Sequence, residues 1–233
     1  MRTVVLLDLK IEKDQALYLL NEYGYFIYEH TGIECEWYVE RRDFSVVPTY
    51  NDGKGNLLPT EKYRKELLKD VHSRYHDNGT DNVVMWVHED NFLFKGIWGI
   101  NYSGRQGYSY SLQLCRWDKD NTANSFGTLY HEQMHSFDWV ILNELGVDVT
   151  KLFGMDWDKF IVHGGRPDKV GTTEWEYINY QQNTEALERI KPYLKTAFAK
   201  RKKAHEAYMD KQKQTISLLS TIITLLQKLL GKK

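Results

Sequence analysis

Apolar runs and helical patterns alternate along the first half of the chain. The run Val4-Val5-Leu6-Leu7 predicts a buried strand over Thr3 to Ile11, and Lys13 to Tyr23 repeats its apolar positions at helical spacing. Trp37, Val39 and Phe44 mark a second strand over Glu34 to Val47, followed by a polar, glycine-containing loop at Asn51 to Asn56. Thr60 is placed to cap a helix with Glu61 in its first turn, and Asp77-Asn78-Gly79 is its stop signal. Asn82 to His88 reads as the next strand. From Gly96 to Trp117, glycines and the aromatics Tyr102, Tyr108 and Tyr110 predict a loop and then an exposed or edge strand. Such strands bind extended peptides by strand addition, although an ordinary twisted hairpin has the same pattern. Asn121 to Leu145 is a long helical pattern that stops at Gly146.

This order predicts an α+β fold in which a mixed sheet carries an edge strand beside the long helix. It divides the chain into a domain over residues 1–190 and a helical tail over residues 191–233. At 233 residues, 42% hydrophobic and 14% aromatic, the chain has ample material for one moderate core, which excludes a disordered protein. Asp8 and Lys10 break the first apolar run, leaving it too short for a signal-peptide core or a membrane span. The expectation is a soluble chain, cytoplasmic by default or delivered by a non-classical route. Cys35 and Cys115 have neither metal-ligand spacing nor the density of a disulfide scaffold.

The net charge of -1 conceals an asymmetry. Residues 189–233 hold twelve of the 31 Lys and Arg but only two of the 32 acidic residues, Glu206 and Asp210. The two parts of the chain therefore face different partners.

Within the long helix stands His131-Glu132-Gln133-Met134-His135, an HExxH sequence. Spacing by four turns both imidazoles to one helix face, where they can share a zinc ion, Zn2+. Glu132 is displaced by about 100° around the helix, beside the metal position, as a base for the attacking water. A zinc ion held there would acidify its bound water, and Glu132 would take that proton and pass it to the leaving amine. Phe126, Leu129, Tyr130, Met134, Phe137, Val140 and Ile141 place the motif on a core helix. His72 and His76 repeat the spacing, but Ser73 replaces the glutamate and the neighbours are polar, so they read as a solvated helix end. His30, His88 and His205 are isolated and receive no role.

Extended to HEQMHSFD, the segment resembles the zincin metallopeptidases, and among them the HExxHxxD pattern of the anthrax lethal factor family. The resemblance covers roughly residues 80 to 190 and implies a zinc-dependent endopeptidase whose third ligand is a glutamate on a later helix. Its counterpart lies in Tyr177-Ile178-Asn179-Tyr180-Gln181-Gln182-Asn183-Thr184-Glu185-Ala186-Leu187-Glu188, which makes Glu185 the implied ligand. Tyr177, or else Tyr180, is the implied oxyanion donor. The residues themselves leave two rivals. Asp138 is seven positions after His131, although helical side chains lean N-terminally and aim it at the His135 ring as a hydrogen-bond partner. His163 lies in a turn-rich loop able to fold over a cleft. A second functional class also fits, a non-catalytic binding or assembly module that uses the aromatic edge strand and the tail.

The tail is Lys-rich from Ala197 to Gln214, including Lys200-Arg201-Lys202-Lys203, and turns apolar from Ile216 to Leu230. At helical spacing the Leu and Ile of this last segment fill one half of the circumference, and Ser217, Ser220, Thr221, Thr224, Gln227 and Lys228 fill the other. Residues 215–230 thus form an amphipathic helix whose stripe is expected to pack on the chain's own core, on a second copy, or on an anionic membrane surface. No nucleic-acid recognition motif accompanies the basic residues. A protein or peptide substrate is the remaining expected partner.

Overall fold

The computed structural model describes residues 1–75, 80–91, 99–102, 111–118, 122–153 and 174–231, except for the side chains of residues 122–124, 150, 153 and 174–183. Tyr108, Tyr110, His76, Asn78-Gly79 and His163 lie outside the described residues, as do the side chains of Tyr177 and Tyr180.

Five strands form one sheet: β1 (Arg2–Asp8), β2 (Glu36–Arg42), β5 (Asn82–His88), β6 (Gly99–Tyr102) and β7 (Ser111–Trp117), in the order β2-β1-β5-β7-β6. The β2, β1, β5 and β7 strands run parallel, and β6 pairs antiparallel with β7 through Ile100 opposite Leu114. The fold is therefore mixed α and β, as the pattern predicts. Because β1 and β5 are covered on both faces, their sequences are nearly continuous apolar runs instead of alternating ones. Val5, Leu7, Val84, Trp86, Cys115 and Trp117 face one core, while Val4, Leu6, Val83, Met85, Leu112 and Leu114 face the other. That two-residue period makes the sheet the middle of three layers.

On the first face lie α1 (Lys13–Thr31), α3 (Thr122–Leu145) and α5 (Glu174–Leu230), with the short α4 (Val149–Phe153) after α3. On the second lie α2 (Glu61–Tyr75) and the two-stranded ribbon of β3 (Thr49–Asn51) and β4 (Leu57–Pro59). Thr60 caps α2 by accepting from the Tyr63 amide at 3.3 Å. Gly146, at φ +69°, ends α3 with its amide on the Leu142 carbonyl at 2.9 Å.

Three expected boundaries move. Helix α1 continues past Tyr23 through Gly24 to Thr31, with Phe26 and Ile27 buried in the core beyond the glycine. The αL residue that ends the helix is Gly32, at φ +69°, its amide on the Tyr28 carbonyl at 2.7 Å. Trp117 is 1% exposed and β7 lies between β5 and β6, so among the described residues the edge strand of the Gly96 to Trp117 segment is the short β6, with β2 at the other edge of the sheet. The division at residue 190 falls within α5, whose Ile190, Leu194 and Ala197 remain buried against the core. Arg201 then binds Glu144 at 3.0 Å and Asp81 at 3.4 Å, where the helix leaves the body. The apolar stripe beyond it does not pack on the chain's own core, since its Leu and Ile side chains are all exposed.

A candidate metal centre under the edge strand

Helix α3 carries two different faces, and both are buried. Phe126, Tyr130, Met134, Phe137 and Ile141 join the apolar core, where the Tyr130 ring packs edge-on against Phe26 at 5.5 Å. The adjoining face is polar and includes His131, Glu132, Gln133, Ser136 and Asp138, each under a tenth exposed. A helix that buries charge and amides in this way needs partners for them.

The two imidazoles meet with Nε2 to Nε2 at 3.1 Å and the rings at 80° to each other. Nitrogens at that separation subtend about 100° at a zinc ion bound at the usual Zn–N length, close to the tetrahedral value. The pair therefore fits two adjacent positions on one zinc ion. Among the described residues no group of three His, Cys, Asp or Glu forms that could hold a metal. Glu185 is about half exposed and holds Arg189, one turn along α5, so the structure does not bring it to the imidazoles. Asp138 stays on the histidine helix as a buried carboxylate. The structure thus assembles His131, Glu132 and His135 but not the residue that the resemblance implies as third ligand.

The cysteines do not compete for this chemistry. Burial pushes the Cys35 thiol up to about 12. Burial also raises Cys115, and the nearby Glu132 carboxylate adds to the effect. Both are thiols, not thiolates, at neutral pH, which removes them as nucleophiles. His88, 7% exposed, turns inward to accept the Asp90 amide on Nδ1 at 3.2 Å, and His30 packs on Phe26 at 4.6 Å.

Glu132 lies directly beneath β6. A Cβ at Gly99, the first residue of that strand, would fall 2.6 Å from Glu132 Oε1 and 2.8 Å from both Glu132 Cγ and Thr128 Cγ2. Only glycine lets the strand come this close to the carboxylate. Two of the three contacts are with the root of a side chain or a methyl fixed on the helix, so rotating the carboxylate alone does not relieve the clash. Gly99→Ala is expected to destabilise the fold by about 1–3 kcal/mol through overpacking and to displace Glu132. Thermal unfolding measures the first effect, and loss of any Glu132-dependent activity measures the second.

Asn101, two residues along, fastens the strand to the same helix. Its amide donates to the Glu132 carbonyl and to Ser136 Oγ, each at 2.8 Å. Below it, Gln113 donates to Ser136 Oγ at 2.8 Å and to Gln133 Oε1 at 3.0 Å, and Asn82 donates to the same Gln133 oxygen at 2.9 Å. Three strands thereby hold one turn of the HExxH helix through hydrogen bonds instead of apolar contact. Directional contacts fix the helix rotation that decides where His131, Glu132 and His135 point.

Gln133→Leu is expected to lower stability by about 2–4 kcal/mol, because it leaves the Asn82 and Gln113 amides without their shared acceptor. Chemical denaturation checks this, and Gln133→Glu, which restores an acceptor, should recover part of the loss. Motif spacing did not point to this network. Its only trace in the sequence is polar Gln113 inside an apolar strand and polar Gln133 and Ser136 three apart on a core helix.

Comparison of the chain with family models, curated proteins and solved structures returns no match.

Proposed function

We propose that this protein is a zinc-dependent endopeptidase of the zincin type, with His131 and His135 as metal ligands and Glu132 as general base. The observation that carries the reading is the pair of Nε2 atoms 3.1 Å apart, with the Glu132 carboxylate held one residue away under an antiparallel edge strand. Zinc on these imidazoles would supply Lewis acidity, acidifying the attacking water and polarising the scissile carbonyl. Glu132 Oε1 or Oε2 accepts the water's proton and passes it to the leaving amine nitrogen. Burial helps the carboxylate, because a proton acceptor in a dry site does not have to break a hydration shell. Among the described residues β6 is one of the two outermost strands of the sheet, the one beside α3, and it would offer its backbone to an extended substrate by strand addition. Asn101 keeps that strand and Glu132 in one rigid unit.

The third ligand is proposed as Glu185 on the resemblance, with Asp138 and His163 as rivals, and Tyr177 or Tyr180 as the oxyanion donor. Bringing Glu185 to the metal requires opening its ion pair with Arg189.

The edge strand also fits one alternative, a zincin-like binding module that takes up a peptide by strand addition without turnover. Zinc content and cleavage of a peptide library by the wild type, compared with Glu132→Gln, separate the two. Stoichiometric zinc with Glu132-dependent cleavage establishes the peptidase. Tight peptide binding without cleavage establishes the module.

A further inference from the structure

Beyond Arg201, α5 runs on as a lever with little of the body against it. From Asp210 to Gly231 every residue is exposed, including nine Leu and Ile side chains between Ile216 and Leu230 that are 49% to 73% exposed. The helix is one continuous element from Glu174 to Leu230, so this apolar end stands on a rigid arm. From Arg201 to Ile216 the arm spans about 22 Å at the rise of an α-helix. We propose that residues 215–230 form a docking surface for an anionic phospholipid bilayer, with the helix lying in the plane of the interface.

Three features select this occupant over a second copy of the chain. The first is the width of the stripe. A two-helix coiled coil would cover the seam Ile216, Leu219, Ile223, Leu226 and Leu230, which repeats at spacings of three and four. It would leave Leu218 and Leu225, about 120–140° away around the helix, in water. A planar apolar boundary covers the whole half-circumference at once.

The second feature is charge. From Lys211 to Lys233 the chain has five lysines and no Asp or Glu, with Lys213 reaching back to Asp210 at 3.9 Å. The exposed Lys202 and Lys203 precede this stretch, while Lys200 and Arg201 pair with Glu144 on the body. Two such helices side by side would set lysine against lysine without the flanking carboxylates that stabilise a coiled coil. Anionic headgroups supply the missing countercharge.

The third is the opposite face, which is largely uncharged and needs no protein partner. Thr221 and Thr224 donate their hydroxyls to the Ser217 and Ser220 carbonyls at 3.0 and 2.9 Å. Spanning is not the mode of attachment, because no helix among the described residues is long and apolar enough to cross a membrane. Because the helix is continuous, lying flat would hold the α/β body alongside the lipid surface.

The test uses the full chain and two sets of vesicles, phosphatidylcholine alone and phosphatidylcholine with phosphatidylserine, read by flotation and paired with sedimentation equilibrium in lipid-free buffer. A monomer in buffer that floats with the phosphatidylserine vesicles, and is released by salt, supports the proposal. Each lysine removed in K211Q, K213Q and K228Q should weaken binding by up to about fivefold. Each of L219D and L226D should weaken it by about tenfold or more. Thermal melts of these variants should match the wild type, since the substituted side chains touch nothing in the body. A dimer or larger species in buffer that L219D and L226D return to monomer, with no preference for phosphatidylserine vesicles, overturns the proposal in favour of a second copy. A monomer that binds neither vesicle overturns it as well.

Discussion

Glu132→Gln is expected to reduce peptide cleavage by about 10²–10⁴-fold while zinc stays bound at the wild-type stoichiometry. The amide is nearly isosteric with the carboxylate and fits the space beneath Gly99, where a Cβ would not. Packing and the Asn101 contact to the residue 132 carbonyl are therefore retained, since that hydrogen bond uses the backbone. What disappears is a proton acceptor, so the loss should appear in kcat and leave KM nearly unchanged. Metal analysis and steady-state kinetics on the same preparation check both halves. A variant that lost zinc together with activity would make Glu132 a structural support for the imidazoles and remove it as the base.

The second large effect is expected at the imidazoles. His131→Ala or His135→Ala should weaken zinc binding by more than the roughly 100-fold that loss of an outer hydrogen-bond partner costs, because on the proposed function each removes a direct ligand. Stability should fall much further for His131→Ala, which empties a buried position, than for the half-buried His135. Competition titration against a chelator measures the affinities. The same titration assigns the third position among Glu185→Ala, Asp138→Ala and His163→Ala. On the resemblance, Glu185→Ala has the largest loss of the three. Wild-type affinity in that variant would leave the Glu185–Arg189 pair as a surface ion pair and transfer the position to a rival.

The elements most legible in the sequence are those whose cause is local. Helix α3 has its helical apolar period, its terminal glycine and the HExxH spacing within one segment, and the structure returns Thr122–Leu145 with Gly146 in the αL conformation. Thr60 capped its helix for the same reason. Errors arose where a residue's role depends on something distant in the chain. The pattern of α1 shows Lys13 to Tyr23, yet the helix continues through Gly24 to Thr31 and ends at Gly32 in the αL conformation. The segment from Gly96 to Trp117 reads as a loop and an exposed or edge strand from its glycines and aromatics, and β6 is such an edge, but the same segment holds β7 with its polar Ser111 and Gln113. Those two polar side chains face Ser136 and Gln133 inside the molecule, which makes β7 an interior strand. A period-two pattern shows which residues share a face, but it carries no information about what covers that face.

The candidate metal centre divides along the same line. Sequence by itself determined the HExxH turn, because four residues of helix place two imidazoles together whatever surrounds them, and it determined the charge and apolar stripe of the last helix. Tertiary structure decided the rest. Strand pairing put Gly99 against Glu132, hydrogen bonds from β5, β6 and β7 set the rotation of α3, and a continuous α5 kept Glu185 with Arg189 while carrying the apolar end clear of the body. The physical reason is range. Helical spacing acts over a few residues of backbone, whereas a third ligand, a buried amide's partner or a covered stripe depends on chain segments that meet only when the sheet closes.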